Sequence, residues 1–391
     1  AYTARYFMFA GAPVSLTFVG LAAAPATALG IFIAPLAWAQ PFALFIPLLS
    51  PATPPRRRMG TLLRSSVALA AAVWLALVLA ALPESERAVR SYVRYDGARL
   101  QERPKGDLTI GLKILPAIID EPSPLALTSD LDLADSLGVG AIGVYLSPSV
   151  TNAALDSLSR ALDDQRSGRS LLVALDFRDA PAFTSLDARS KWLRSRLNVI
   201  MRVTRRLKPD YLVPALDPFG EAARSLGPTP FRDWLRFVGD AAALAKRLDP
   251  DVTVLAHAGG LSELDSALIA WSLNPGSPID GVGVGILPSY DGAPSLEARM
   301  STIDRWLRGA PTEHEVWVIG VGGLPMLHGE ASQQRALMGV MAWATRHASV
   351  QGLLVLQSSD YDAPLGLRAP GGRLRGGSSA VARAIKALGE R

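Results

Sequence analysis

Ala141-Ile-Gly-Val-Tyr-Leu146 and, thirty residues on, Leu171-Leu-Val-Ala-Leu-Asp176 are the stretches whose reading decides the fold. Each is a short run of apolar, β-prone residues, and an amphipathic stretch near 152–166 lies between them. A strand, a helix and a strand in that order form a parallel βαβ unit. The alternation extends outward in both directions. Strands are predicted at 108–115, 141–146, 171–176, 211–215, 252–257, 281–287, 316–321 and 352–357, and helices near 128–137, 152–166, 186–207, 229–248, 261–273, 295–308, 330–348 and 378–388. Eight βα units over residues 107–391 predict an α/β chain folded as a (β/α)8 barrel of the TIM type, whose usual size is roughly 250 residues. A doubly wound open sheet is the alternative.

The chain upstream has a different character. Residues 1–83 contain Arg5, Arg56, Arg57, Arg58 and Arg64 and no Asp, Glu, Lys or His. From Tyr6 to Pro55 nothing is charged, but Pro13, Pro25, Pro35, Pro41 and Pro47 interrupt the run, and each removes a backbone donor. Residues 65–83 form a second uncharged run with the composition of one transmembrane helix. Residues 1–83 are therefore expected to be a membrane-anchoring region: a Pro-broken hydrophobic arm, then one spanning helix. Cleavage after Ala39 as a signal peptide is the alternative, against which the apolar stretch is too long for an h-region. Residues 84–106 read as a polar linker. Placing the Arg56–Arg58 cluster in the cytoplasm puts the barrel in the periplasm, although Arg87, Arg90, Arg94 and Arg99 weigh the other way.

Composition agrees with a membrane association. The 391 residues are 49% hydrophobic and 19% charged, with a mean hydropathy of +0.22. The net charge of +5 stems from the arginines of the first 83 residues, since basic and acidic residues cancel beyond them. No basic face for nucleic acid is expected. With no cysteine there is no disulfide, thiol nucleophile, thiolate metal site or c-type haem attachment. No His, Asp or Glu cluster has metal-ligand spacing, and no cofactor is expected. Gly281-Val-Gly-Val-Gly285 lies inside a strand and not at a strand-to-helix turn, so it does not argue for a dinucleotide.

Barrels keep their chemistry at the C-terminal ends of the strands. That rule selects Asp176 and Arg178 after the third strand, Asp217 and Glu221 after the fourth, and His257 closing the fifth. Tyr290 and Asp291 follow the sixth, and Gln357, Asp360 and Asp362 the eighth. The seventh strand end offers no ionisable group. Each candidate also has a purely structural reading: Asp217 before Pro218 as a turn residue, Asp176 with Arg178 as a salt bridge, His257 as a satisfied core histidine. Arg373-Leu-Arg375-Gly-Gly-Ser-Ser379 opens the last helix, where barrels often bind phosphate.

Residues 107–391 resemble the clan-A retaining glycoside hydrolases, which include endo-galactanases, mannanases and cellulases. The resemblance rests on Tyr211-Leu-Val-Pro-Ala-Leu-Asp217-Pro218, Val316-Trp-Val-Ile-Gly-Val321-Gly-Gly-Leu-Pro325, Leu172-Val-Ala-Leu-Asp176-Phe177, Val254-Leu-Ala-His257, and the stretch from Gly352 into the last helix. It implies Asp217 at the acid/base position, preceded by Leu216 where the family has Asn, and Val321 (or Gly320) at the nucleophile position. Gln357 stands where the family places a tryptophan under the sugar. Retaining hydrolysis needs two carboxyl groups roughly 5–5.5 Å apart, and neither valine nor glycine supplies one.

The chain is thus expected to be a membrane-anchored pseudoenzyme barrel serving as an accessory or structural subunit of a larger membrane complex. A photosynthetic reaction-centre or antenna complex, a respiratory complex and an envelope polysaccharide machine are candidates. Its partners would be the bilayer and membrane subunits contacting residues 1–83. An active membrane-bound glycosidase or transglycosidase, using Asp217 with Glu221, Asp291 or Asp360, is the alternative. A carbohydrate-binding module is another, with Asp176, Arg178, Glu221, His257, Tyr290 and Asp360 as ligand-binding candidates and Tyr290, Tyr361 and Phe219 as aromatic platforms.

Overall fold

Eight parallel strands close in chain order into a barrel in the computed structural model of the protein: β1 Thr109–Ile118, β2 Ala141–Leu146, β3 Ser170–Leu175, β4 Tyr211–Val213, β5 Thr253–Ala258, β6 Gly281–Ile286, β7 Glu315–Val321 and β8 Val350–Val355. Closure is made by β1, which pairs with both β2 and β8. The structure describes residues 87–165, 168–183, 185–289, 291–308 and 314–389. The hydrophobic arm and helix expected in residues 1–83 lie outside the described residues, within which no helix is long and apolar enough to cross a membrane.

All eight predicted strands are present, and the fold is the (β/α)8 barrel, not the open sheet. Several bounds shift by a few residues, β1 running on to Ile118 and β8 starting at Val350, and two differences have local reasons. β4 stops at Val213 because Pro214 has no N–H to continue the ladder. The helix expected over 186–207 is two, Leu186–Ser195 and Leu197–Leu207. They break at Arg196, whose N–H bonds back to Leu193 O and whose guanidinium reaches Pro148 O at 2.9 Å. The break re-aims the second helix so that Val199, Ile200, Val203 and Leu207 are buried against the barrel.

Side chains alternate across each strand and build two cores. Leu171, Val173 and Leu175 of β3 join the layer between strands and helices, whereas Leu172 and Ala174 join a separate cluster with Val213, Leu255, Trp317, Ile319 and Leu354. The second cluster fills the barrel lumen. Trp317 is its bulkiest member, with the Tyr211 ring 4.4 Å away. It fits only because the facing position on β8 is Gly352, where a Cβ would lie 2.3 Å from the indole. Gly283 on β6 has the same cause: a Cβ there would sit 2.6 Å from Ile319 Cδ1.

Residues 87–107, most of the stretch read as a linker, are packed along the outside of the barrel. Ser91 Oγ accepts from Ala293 N at the start of the helix after β6, and Tyr92 is fully buried 5.6 Å from the His328 ring. Further along, Gln101 N donates to Thr345 Oγ1 at the end of the helix after β7. Arg103 then donates to His347 O (2.7 Å), Val350 O (2.9 Å) and Ala348 O (3.1 Å). Those contacts satisfy carbonyls at the helix end and the base of β8 that would otherwise be orphaned. The segment therefore descends from the mouth of the barrel to its base.

Candidate functional site

The centre of the mouth is occupied by two cations and two anions. Lys113, on β1, is 1% exposed. Its Nζ donates to Asp362 Oδ2 (2.6 Å), Gln357 Oε1 (3.2 Å) and Leu115 O, and it lies 5.2 Å from the centre of the Tyr145 ring. Arg178 Nε donates to Asp176 Oδ2 (2.7 Å), and Arg178 Nη2 reaches both Asp176 (2.5 Å) and Asp362 (3.4 Å). Asp176 Oδ1 accepts from Arg178 N at 3.0 Å. The result is a continuous chain, Lys113–Asp362–Arg178–Asp176, buried at its Lys113 and Asp176 ends.

Burial pulls the Lys113 ammonium below the ordinary lysine value, opposed by Asp362. Burial pushes Asp362 up, but Lys113 and Arg178 hold it on balance below the usual carboxylate range. Arg178 is disfavoured by burial yet more firmly protonated than usual because of Asp176. Both anions thus accept charge-assisted hydrogen bonds from fixed cations.

Asp217 lies four residues past the end of β4, in a turn, with φ +45°. Its Oδ2 accepts from Glu221 N (2.9 Å) and its carbonyl from Ala222 N (3.2 Å), so it takes up the first N–H groups of the short helix Glu221–Leu226, whose N-cap residue is Gly220. Gly220 and Gly259 make room for it, since a Cβ on either would meet the carboxylate within 2.6 Å. Its Oδ1 is buried and accepts no hydrogen bond from the described residues. The Asp217 N–H donates to His257 Nδ1 (3.0 Å), and His257 Nε2 faces Ile319 O at 3.3 Å. A neutral imidazole protonated on Nε2 satisfies both contacts. Burial pushes its pKa down to about 4, against the Ile319 carbonyl. His257 ties β5 to the β4 turn and to β7; it is the satisfied core histidine of its structural reading.

The remaining candidates scatter. Asp360 forms a buried two-pronged pair with Arg375 (2.7 and 2.6 Å) and also accepts from Gly366 N (2.9 Å), which closes the loop after β8. That pair and the surface bridge from Arg373 to Glu330 use up the two arginines that suggested a phosphate site. Glu221 is partly exposed and bridges to Arg224 on its own helix. Asp291 is exposed, Phe219 stacks on Phe231 at 5.5 Å, and Tyr361 is half-buried beside Asp130. Tyr290 lies outside the described residues. Among the described residues no group of three or more His, Asp or Glu is placed to hold a metal ion.

The strand-end rule reached Asp176, Arg178, Gln357 and Asp362 but missed Lys113, the residue that joins them. The signal was present: a lysine inside an apolar strand, two positions from Gly111 and so on the same face.

Neither a family model nor a curated protein matches the sequence. Solved structures do. An exo-β-1,4-mannosidase, Op5Man5 from Opitutaceae bacterium strain TAV5, aligns at a TM-score of 0.52 and 15% identity over 76% of this chain and 62% of its own. GH5_18 from Streptomyces cattleya, in complex with GlcNAc, aligns at 0.52 and 16% over 72% and 81%. A β-glucuronidase from Ruminococcus gnavus aligns at 0.50 and 12% over 72% and 50%. The likeness is one of fold. The structure is a TIM barrel whose neighbours are glycoside hydrolases, and it spans under two thirds of the length of the mannosidase.

Within the barrel, β7 ends on Val321, fully buried, after Gly320 with φ +105°.

Proposed function

We propose that the chain is a glycoside-hydrolase-like barrel that no longer cleaves glycosides and serves, anchored through residues 1–83, as a structural or accessory subunit of a membrane assembly. The observation that supports the non-catalytic part is the continuous Lys113–Asp362–Arg178–Asp176 chain at the centre of the mouth. Retaining hydrolysis needs one carboxyl group that holds a proton near neutral pH and another free to attack the anomeric carbon. Asp362 is held in the ionised form by Lys113 and Arg178. Asp176 has both oxygens engaged by Arg178. Anchoring rests on the uncharged runs 6–55 and 65–83, and a periplasmic barrel on the Arg56–Arg58 cluster. A photosynthetic reaction-centre or antenna complex, a respiratory complex or an envelope polysaccharide machine would suit such a subunit.

One observation favours a second reading, a membrane-bound glycosidase or sugar-binding barrel. Asp217, at the position the family resemblance gives to the acid/base, keeps a buried oxygen without a hydrogen-bond partner among the described residues, and the fold neighbours include a mannosidase and a glucuronidase.

The detergent-solubilised full chain, incubated with aryl glycosides and β-linked oligosaccharides, separates the two. The first reading expects no turnover above that of the Asp217→Asn variant. Turnover that disappears in Asp217→Asn overturns it.

A further inference from the structure

The geometry points to the mouth of the barrel, and not its base or flank, as the face that rests on the lipid bilayer. This deepens the reading above and depends on residues 65–83 crossing the membrane.

Two independent observations converge on that face. The first is where the chain enters. Ala88 and Ser91 sit at the mouth side, against Gly292 and Ala293, which open the helix after β6; the chain then descends to the base at Arg103 before β1 begins. Arg87 follows Pro83, the end of the uncharged run, by four positions. Four residues reach at most about 14 Å when fully extended. A barrel hung from its base would instead have its short tether arriving near Asp107.

The second observation is the distribution of exposed apolar side chains. Among the described residues the large exposed ones are Leu125, Leu186, Leu261, Leu264, Leu374 and Val93. The five leucines all lie in βα loops or at helix starts after β1, β3, β5 and β8, and so on the mouth face. Val93 belongs to the descending segment. The base has none among the described residues. Single exposed leucines are ordinary on protein surfaces, but five on the face where the anchor enters form a ring of apolar contacts. Some charges on the same rim are paired with each other, Asp187 with Lys191, Glu221 with Arg224 and Glu330 with Arg373, while the carboxylates of Asp120, Glu121, Asp179, Glu263 and Asp291 are exposed there. A rim of protruding leucines suits shallow insertion into the headgroup boundary, where apolar burial supplies the attraction. A protein partner would be better served by one contiguous patch than by leucines spread around a ring.

The absence of cysteine makes the test clean. Single-cysteine variants of the full chain at the rim (Leu125→Cys, Leu264→Cys, Leu374→Cys) and at the base (Asp251→Cys, Ala348→Cys) carry an environment-sensitive fluorophore. They are reconstituted into phosphatidylcholine–phosphatidylglycerol vesicles, with or without brominated acyl chains. The proposal expects several-fold stronger bromolipid quenching at all three rim positions than at the base. Equal quenching on the two faces overturns it. Rim probes that are unquenched yet shielded in native membranes also overturn it, in favour of a protein partner. Full chain that fails to float with the vesicles removes the anchoring reading itself, which distinguishes that failure from a misplaced face.

Discussion

Replacing Lys113 by methionine is expected to cost the barrel about 3–5 kcal/mol of stability, the range for removing one partner of a buried ion pair. The ammonium is almost fully enclosed, and Asp362 would lose its nearest cation, with Arg178 Nη2 farther off at 3.4 Å. Gln357 and the Leu115 carbonyl would lose their donor as well. For a domain of this size each kcal/mol moves the unfolding midpoint by about 2–4 °C, so the variant should melt roughly 10 °C below the parent. Lys113→Met/Asp362→Leu should melt above Lys113→Met alone, because removing both charges leaves neither one stranded. Equal midpoints for Lys113→Met and the parent would show that the mouth is not held by this chain of charges.

The next largest effect is a loss of stability in mild acid. His257 takes up a proton at about pH 6.5 when unfolded, but only near pH 4 when folded, because burial lowers its pKa. Between those values the unfolded chain binds more protons, so stability is full above pH 6.5 and falls as the pH drops towards 4. The total is about 3 kcal/mol at 1.36 kcal/mol per unit. Asp362 responds in a lower window: its depressed folded pKa adds stability above the ordinary carboxylate range that is lost only below it. In His257→Asn the amide oxygen replaces Nδ1 as the acceptor for Asp217 N–H. That variant should flatten the dependence of melting temperature on pH between 6.5 and 4.5, whatever its absolute midpoint. A slope as steep as the parent's would place the titrating group elsewhere.

The barrel was legible because its strands are short and bounded. β2 falls at the predicted residues, and all eight runs alternate with amphipathic helices as βαβ packing requires. What escaped was tertiary in origin. Arg103 reads as one more charge in a polar stretch, yet it is buried at the barrel base, where it donates to five backbone carbonyls. Asp360 was visible as a strand-end carboxylate, but nothing local announces that Arg375 folds back to claim both its oxygens. Asp217 was legible as a turn residue from the proline after it, and it acts as one. The charge pair of Asp176 and Arg178 was legible too, because neighbours two apart at a strand end can meet. Its extension through Asp362 to Lys113 joins the first strand to the last loop, a relation that appears only when the barrel closes.

The central claim is that the barrel works as part of a larger membrane assembly and not as a free hydrolase. Its most direct test is extraction of the full chain in mild detergent through a C-terminal tag, followed by identification of whatever elutes with it. The account predicts membrane subunits in stoichiometric amounts, lost when residues 1–83 are deleted. A full chain that emerges alone as a monodisperse particle would contradict it.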